Sequence, residues 1–179
     1  MLWQIDPAHS SINFSVRHMM ISKVRGQFKN FSGTVAFDEE NPANTTVQIE
    51  IDVNSIFTGE EQRDNHLKSP DFFDAANYPV ATFTSTRVEQ IDNETGKLYG
   101  NLTIKEITRE LVLDVEYAGT AVSPWGTQAA GFFATTTLNR KDWGLNWNQA
   151  LETGGFLVGD KIKLDIELEL VKQPEAEAA

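Results

Sequence analysis

The chain has 179 residues, 40% apolar and 23% charged, with a net charge of −11 and no cysteine. That is the length of one domain able to bury its own core. The acidic balance excludes recognition of nucleic acid or an anionic surface through the overall field, though not through a local basic pocket, and the missing cysteine excludes disulfides and thiolate metal sites.

The N-terminus, MLWQIDPAHSS, has no basic segment followed by an apolar run. It therefore does not read as a secretory signal, and the expectation is a cytoplasmic protein, or a periplasmic one if a leader has been removed. No apolar run approaches the ~18–20 residues of a transmembrane helix, so stable membrane insertion is not expected.

Taken in chain order, the period is two almost everywhere. Ile12, Phe14 and Val16 share a face, with His18 next in line. Val47, Ile49, Ile51 and Val53 share the next. Residues 60–79, EEQRDNHLKSPDFFDAANYP, break the pattern with five carboxylates around Phe72–Phe73, four ahead of the pair and Asp74 behind it. Thr58 and Glu61 fit a capping box, so a helix is expected from near Gly59 to before Pro70. Ser69, Pro70 and Asp71 read as a second short start. This helix has little apolar surface beyond Leu67, so it reads as a cover on a rim.

Alternation then resumes. Leu98, Leu102 and Ile104 align through Gly100, Leu111 to Tyr117 alternate, and Ile162, Leu164, Ile166, Leu168 and Leu170 oppose Lys163, Asp165, Glu167 and Glu169. Such strands are dry on one face and wet on the other. The turn segments EENPANT, DNETG, SPWG and TGGFLVGD separate them. The reading is an all-β chain of antiparallel hairpins closed into a sandwich or barrel, one domain over 1–172 with an acidic tail at 173–179.

Catalytic signatures are missing. There is no G-x-S-x-G, P-loop, G-x-G-x-x-G or H-E-x-x-H, so no catalytic residue and no cofactor are expected. Glu39–Glu40 and Glu60–Glu61 read as solvated pairs. His9, His18 and His66, with Asp64 or Asp71, could hold a metal only if the fold gathered them. Their spacing matches no metal motif, so none is expected. His66 is expected to fasten the cover. Arg25, Arg63, Arg109 and Arg140 could hold an anionic headgroup, but tying a turn to the sheet is the more ordinary use of such a fork.

The aromatic and thioether content exceeds the needs of a small β core. A barrel of about eight strands is either filled or left to hold one guest, and such side chains suit an apolar one. Lining is expected from His18, Met20, Phe31, Phe57 and Leu67, and from Phe72, Phe73, Phe83, Phe133 and Trp143. A one-residue register error would exchange every face.

Ordered motifs then carry a resemblance. D-x-x-H-S-x-I-x-F-x-V-R-H (Asp6 to His18) precedes G-x-F-x-x-F-x-G (Gly26 to Gly33) and S-I-x-T (Ser55 to Thr58). R-D-x-H-L-x-S-x-D-F-F-D (Arg63 to Asp74), Y-P (Tyr78, Pro79) and G-x-L-T-I (Gly100 to Ile104) follow. R-x-D-W-G (Arg140 to Gly144) and V-G-D (Val158 to Asp160) close the pattern. From Trp3 to Val171 the chain resembles the YceI-like, polyisoprenoid-binding family. That resemblance implies a lipocalin-like antiparallel β-barrel with a helical insertion, and non-catalytic binding, carriage or storage of a long-chain isoprenoid or related lipid. The family often has glycine after the position of Lys105. Glu106 stands there, so that hairpin is expected to be longer or tilted.

Two other readings remain open at this stage. One is a lipid-modifying enzyme using His18 as its base. The other is a structural or stress-response barrel with a filled core. Exposed strand edges and the acidic surface leave room for a homodimer.

Overall fold

The structure is a computed structural model and describes residues 2–174. Residues 175–179 of the expected tail lie outside the described residues. In chain order the strands are β1 (Leu2–Ile5), β2 (Ser11–His18), β3 (Ser22–Phe28), β4 (Phe31–Ala36), β5 (Thr46–Asp52) and β6 (Ile56–Phe57). The helix α1 (Glu61–Lys68) follows, then β7 (Val80–Gln90), β8 (Thr95–Ile104), β9 (Ile107–Val122), β10 (Gln128–Asn139) and β11 (Val158–Lys172). All strand pairings are antiparallel, as the hairpin punctuation dictates.

Eight strands close a ring in the order β1, β4, β5, β7, β8, β9, β10, β11, with β11 returning to β1 through Ile5–Leu170 and its neighbours. Closure removes the edges of these eight strands that would otherwise invite aggregation. The earlier half of β11 pairs instead with β2, from which β3 and β6 continue. Consecutive strands β3 and β4 therefore do not pair, and the sheet parts between them. The insertion at 58–79 covers this region, with Phe73 edge-on to Phe28 of β3 at 5.9 Å between ring centroids.

The alternation puts the expected faces inward on β2, β5, β8, β9 and β11. Val53 leaves its strand: β5 ends at Asp52, and Val53 is buried in a short 3-10 turn capped by the Asp52 side chain. In β8, Gly100 has no side chain because the ring of Phe83 on β7 occupies that space. Glycine inside a strand commonly marks such a close approach.

The insertion differs from expectation at its start. Helix α1 is capped at Glu60 with no side-chain cap bond, so the Thr58–Glu61 capping box does not form. Asp64, one turn further on, reaches back instead. Its Oδ1 accepts from the Thr58 N–H at 2.9 Å and from the Thr58 hydroxyl. Arg63 completes the knot, donating from Nε to Thr58 Oγ1 at 2.7 Å and from Nη2 to the Thr58 carbonyl at 2.8 Å. The second start at Ser69 is a turn rather than a helix: the N–H groups of Phe72 and Asp74 both donate to the Ser69 carbonyl.

The β8–β9 hairpin also departs from expectation. Ile104 pairs with Ile107, so Lys105 and Glu106 form a two-residue turn, both at positive φ (53° and 65°). The turn is neither longer nor looser than a glycine would allow. The strand twist imposes the left-handed backbone there, and Glu106 adopts it at some conformational cost.

Candidate binding cavity

The barrel encloses a cavity of about 480 Å³, within the usual range for small-molecule sites. Its middle is walled by the inward faces of β9, β10 and β11: Leu113, Val115, Phe132, Ala134, Leu164 and Ile166. β5, β7 and β8 add Ile49, Ile51, Phe83, Leu98 and Leu102. The aromatic part of the wall includes Phe37, which meets Tyr117 at 5.6 Å and Phe132 edge-on at 5.2 Å.

The two ends differ. One is rimmed by exposed residues of the β4–β5 connection and the β7–β8 hairpin, among them Glu39, Glu40, Asp92 and Glu94. These loops are tied by their own aspartates. Asp38 Oδ1 accepts from the N–H groups of Glu40 and Asn41, and Asp92 Oδ1 from those of Glu94 and Thr95 at 2.8 and 2.7 Å. The bonds from Asn41 and from Glu94, respectively, are the main reason each carboxyl sits below its ordinary range.

The other end is closed by Leu67, Phe72 and Phe73 of the insertion and by Arg140, Leu145 and Val158. His66 fastens this cover. Its Nε2 lies 2.9 Å from Asp71 Oδ2, and its ring stands edge-on to Phe72 and Trp147 at 5.1 and 4.7 Å. Arg140 is 2% exposed, and its guanidinium donates to the carbonyls of Leu145, Trp147 and Gly159. Burial pushes its pKa below the ordinary value, opposed by Asp160 at 3.8 Å. Its donors are committed to backbone, so Arg140 ties the 145–159 loop to the barrel. Arg63 ties Thr58, and Arg109 donates to the Asp142 carbonyl at 3.3 Å. The tying use of these three arginines is therefore what the fold displays.

Of the ten side chains expected at the wall, Leu67, Phe72, Phe73 and Phe83 line the cavity. The other six do not. Phe133 and Phe57 fall on the outward face of their strands, 43% and 42% exposed, while their neighbours Phe132 and Ile56 turn inward or are buried. Met20 sits at the tip of the β2–β3 hairpin, exposed. His18 ends β2 opposite Val158, where a register shift before Ile162 interrupts the alternation. Phe31 packs half-buried against the core at the start of β4. Trp143 lies in the turn after β10, fully enclosed, donating its indole N–H to the Leu102 carbonyl at 2.8 Å.

The aliphatic and aromatic wall of β9–β11 was thus missed as a site, although its alternation was plain. Strand parity, not residue type, is the signal that marks it. The three histidines are not brought together either. His9 lies with Asp6 (2.8 Å) and Glu169 (3.8 Å) on the surface, and the hydrogen bond to Asp6 is the first cause of its raised pKa. This trio, His9 exposed and Asp6 and Glu169 half-buried, is the one cluster of metal-ligating groups among the described residues, and it includes neither His18 nor His66.

The architecture is that of a closed antiparallel barrel built around an apolar interior. The chain belongs to the YceI-like family: the model of the YceI-like domain matches residues 3–170. A UPF0312 protein of Staphylococcus aureus (strain MSSA476) is 41% identical over 165 residues, covering 92% of this chain and 94% of that protein. Among solved structures, the Campylobacter jejuni YCEI protein is similar at 36% identity and TM-score 0.77, covering 88% of this chain and 90% of the other. Burkholderia cenocepacia BcnA is similar at 25% identity and TM-score 0.81, with 92% and 98% covered. A polyisoprenoid binding domain from Saccharophagus degradans, 17% identical with TM-score 0.66 over 96% and 98% of the chains, shares the fold.

Proposed function

We propose that this protein binds a long-chain isoprenoid or related lipid in the barrel interior, for carriage or storage, without catalysing a reaction on it. The observation that carries the reading is the cavity wall, apolar from the cover to the acidic rim, with its one deep cation, Arg140, spent on backbone carbonyls. A chain guest needs nothing more directed. Each five-carbon unit offers roughly 4 kcal/mol of gross transfer energy at ~0.8 per buried carbon group. Ordering and desolvation costs reduce this, and affinity saturates near about −18 to −21 kcal/mol.

The rival readings find less support. The enzyme reading relied on His18, which does not line the cavity. A barrel filled by side chains leaves no 480 Å³ space. The test is organic extraction of the purified protein followed by mass spectrometry, with thermal melting in the presence of added prenyl chains. A stoichiometric prenyl or acyl lipid, and a raised melting temperature on loading, are expected. An empty extract with an unmoved melting temperature would overturn the proposal.

A further inference from the structure

Five of the chain's 15 lysines and arginines, Arg17, Lys23, Arg25, Lys161 and Lys163, stand exposed on the outer faces of adjacent strands β3, β2 and β11. Among the described residues none of these five has a carboxylate within 4.0 Å. Arg17 and Lys23 are direct cross-strand partners. Like charges placed opposite one another weaken a sheet, so this pairing is not explained by folding. It is also unexpected in a chain of net charge −11.

Four of these cations line one surface depression of about 430 Å³ together with Met20 and Phe156. Asp160 is the one carboxylate there, and it is engaged by Lys141 at 3.4 Å and Arg140 at 3.8 Å. Beside the depression the β2–β3 hairpin ends in Met19, Met20 and Ile21. Ile21 is 85% exposed and Phe156 56%. Met19 and Met20 hold positive φ, 52° and 66°, a conformation that glycine or asparagine adopts more cheaply. Strain is thus retained to present apolar side chains to solvent.

We propose that this surface docks on an anionic lipid bilayer: the hairpin tip and Phe156 enter the interface while Arg17, Lys23, Lys161 and Lys163 meet the headgroups. Charge complementarity selects this partner. The cations supply attraction that falls off within a Debye length, and the apolar tip supplies the shallow insertion that a purely electrostatic partner such as nucleic acid would not need. The acidic rim, with Glu39, Glu40, Asp92 and Glu94, lies at the opposite end of the cavity, so an anionic surface orients the molecule with that rim away. Val16 and Val158 line both the cavity and the depression, which sets the docked face against the cavity wall. The inference stands on this surface and does not require any particular cavity ligand.

The test is co-sedimentation of the full chain with vesicles of phosphatidylcholine alone or with phosphatidylglycerol added, across a salt series. The protein is expected to sediment only with the mixed vesicles and to be released by salt. Losing one cation should weaken partitioning about fivefold, so R17Q with K23Q should weaken it more than tenfold. Met20→Asn with Ile21→Asn removes the apolar tip with residues that tolerate the backbone there, and should also weaken binding. Arg87→Gln with Lys97→Gln, beside the acidic rim, should not. Protein left in the supernatant with both vesicle types overturns the proposal. So does binding insensitive to the tip variant, or cation-dependent binding of a DNA duplex, or of a second copy of the chain, in place of vesicles. Extraction of lipid from the same preparations separates the two ideas. A vesicle-binding protein that extracts empty refutes carriage alone, and a loaded protein that ignores vesicles refutes docking alone.

Discussion

Asp64 and Thr58 are joined twice, by the backbone N–H and by the hydroxyl of Thr58, both donating to one carboxylate oxygen. Asp64 is only 8% exposed, so this pair anchors the insertion where it leaves β6. Asp64→Ala leaves the N–H and the hydroxyl of Thr58 without their shared acceptor. The expected loss is ~1–3 kcal/mol, or roughly 2–10 °C in melting temperature for a chain of this size. Amide exchange should quicken across 58–75 while the β9–β10 ladder keeps its protection. A uniform change across the barrel would show that the pair is not a local anchor.

Phe83 lies over Gly100, and a methyl at Gly100 would collide with its ring and with the Thr84 carbonyl. Gly100→Ala should cost ~1–3 kcal/mol through overpacking. Because Phe83 lines the cavity, the displaced ring should also lower lipid loading. Chemical denaturation and extracted lipid content, measured together, check both effects.

Ala134 faces the cavity between Val115 and Ile166, and Phe133 faces outward. Ala134→Phe fills open space, so it should reduce prenyl-chain affinity at least roughly tenfold, the equivalent of about two lost carbon groups. The melting temperature of the lipid-free protein should not fall. Phe133→Ala should leave loading unchanged. The opposite ranking would place the ligand outside the barrel.

Lys105 and Glu106 occupy the two positive-φ positions of the β8–β9 turn. Replacing them by Asn-Gly relieves left-handed strain without touching the cavity. A gain of about 1–2 kcal/mol is expected from urea unfolding, with the slope unchanged.

Asp92 accepts two backbone N–H groups at the cavity rim, and its folded pKa is depressed, first by the bond from Glu94. A depressed carboxyl contributes stability above its unfolded value of roughly 3.9, and the contribution is lost as pH falls through the folded value. Asp38 follows the same sign through Asn41. Acidification should therefore speed amide exchange at 93–96 and 39–42 before the barrel unfolds. Asp92→Asn should remove that pH dependence from the first loop and leave the second unchanged.

Period-two alternation determined an antiparallel all-β chain, sandwich or barrel, and the family resemblance narrowed this to a barrel. Strands such as 162–170 must turn Ile and Leu one way and Lys, Asp and Glu the other, whatever they pack against, and the turn residues between them fix antiparallel pairing. Family membership was likewise legible, in motifs spread from Asp6 to Asp160. The sequence also placed Leu67, Phe72 and Phe73 on a cover, because a helix with so little apolar surface cannot be core. Tertiary structure decided the rest. A face becomes a wall only when strand register and ring closure say which side is enclosed, and this turned Phe132 inward and Phe133 outward. It also decided that Asp64 rather than Glu61 meets Thr58, and that Arg140 spends its charge on carbonyls. Those contacts join residues through folded geometry, by hydrogen bonds and burial that no local periodicity encodes.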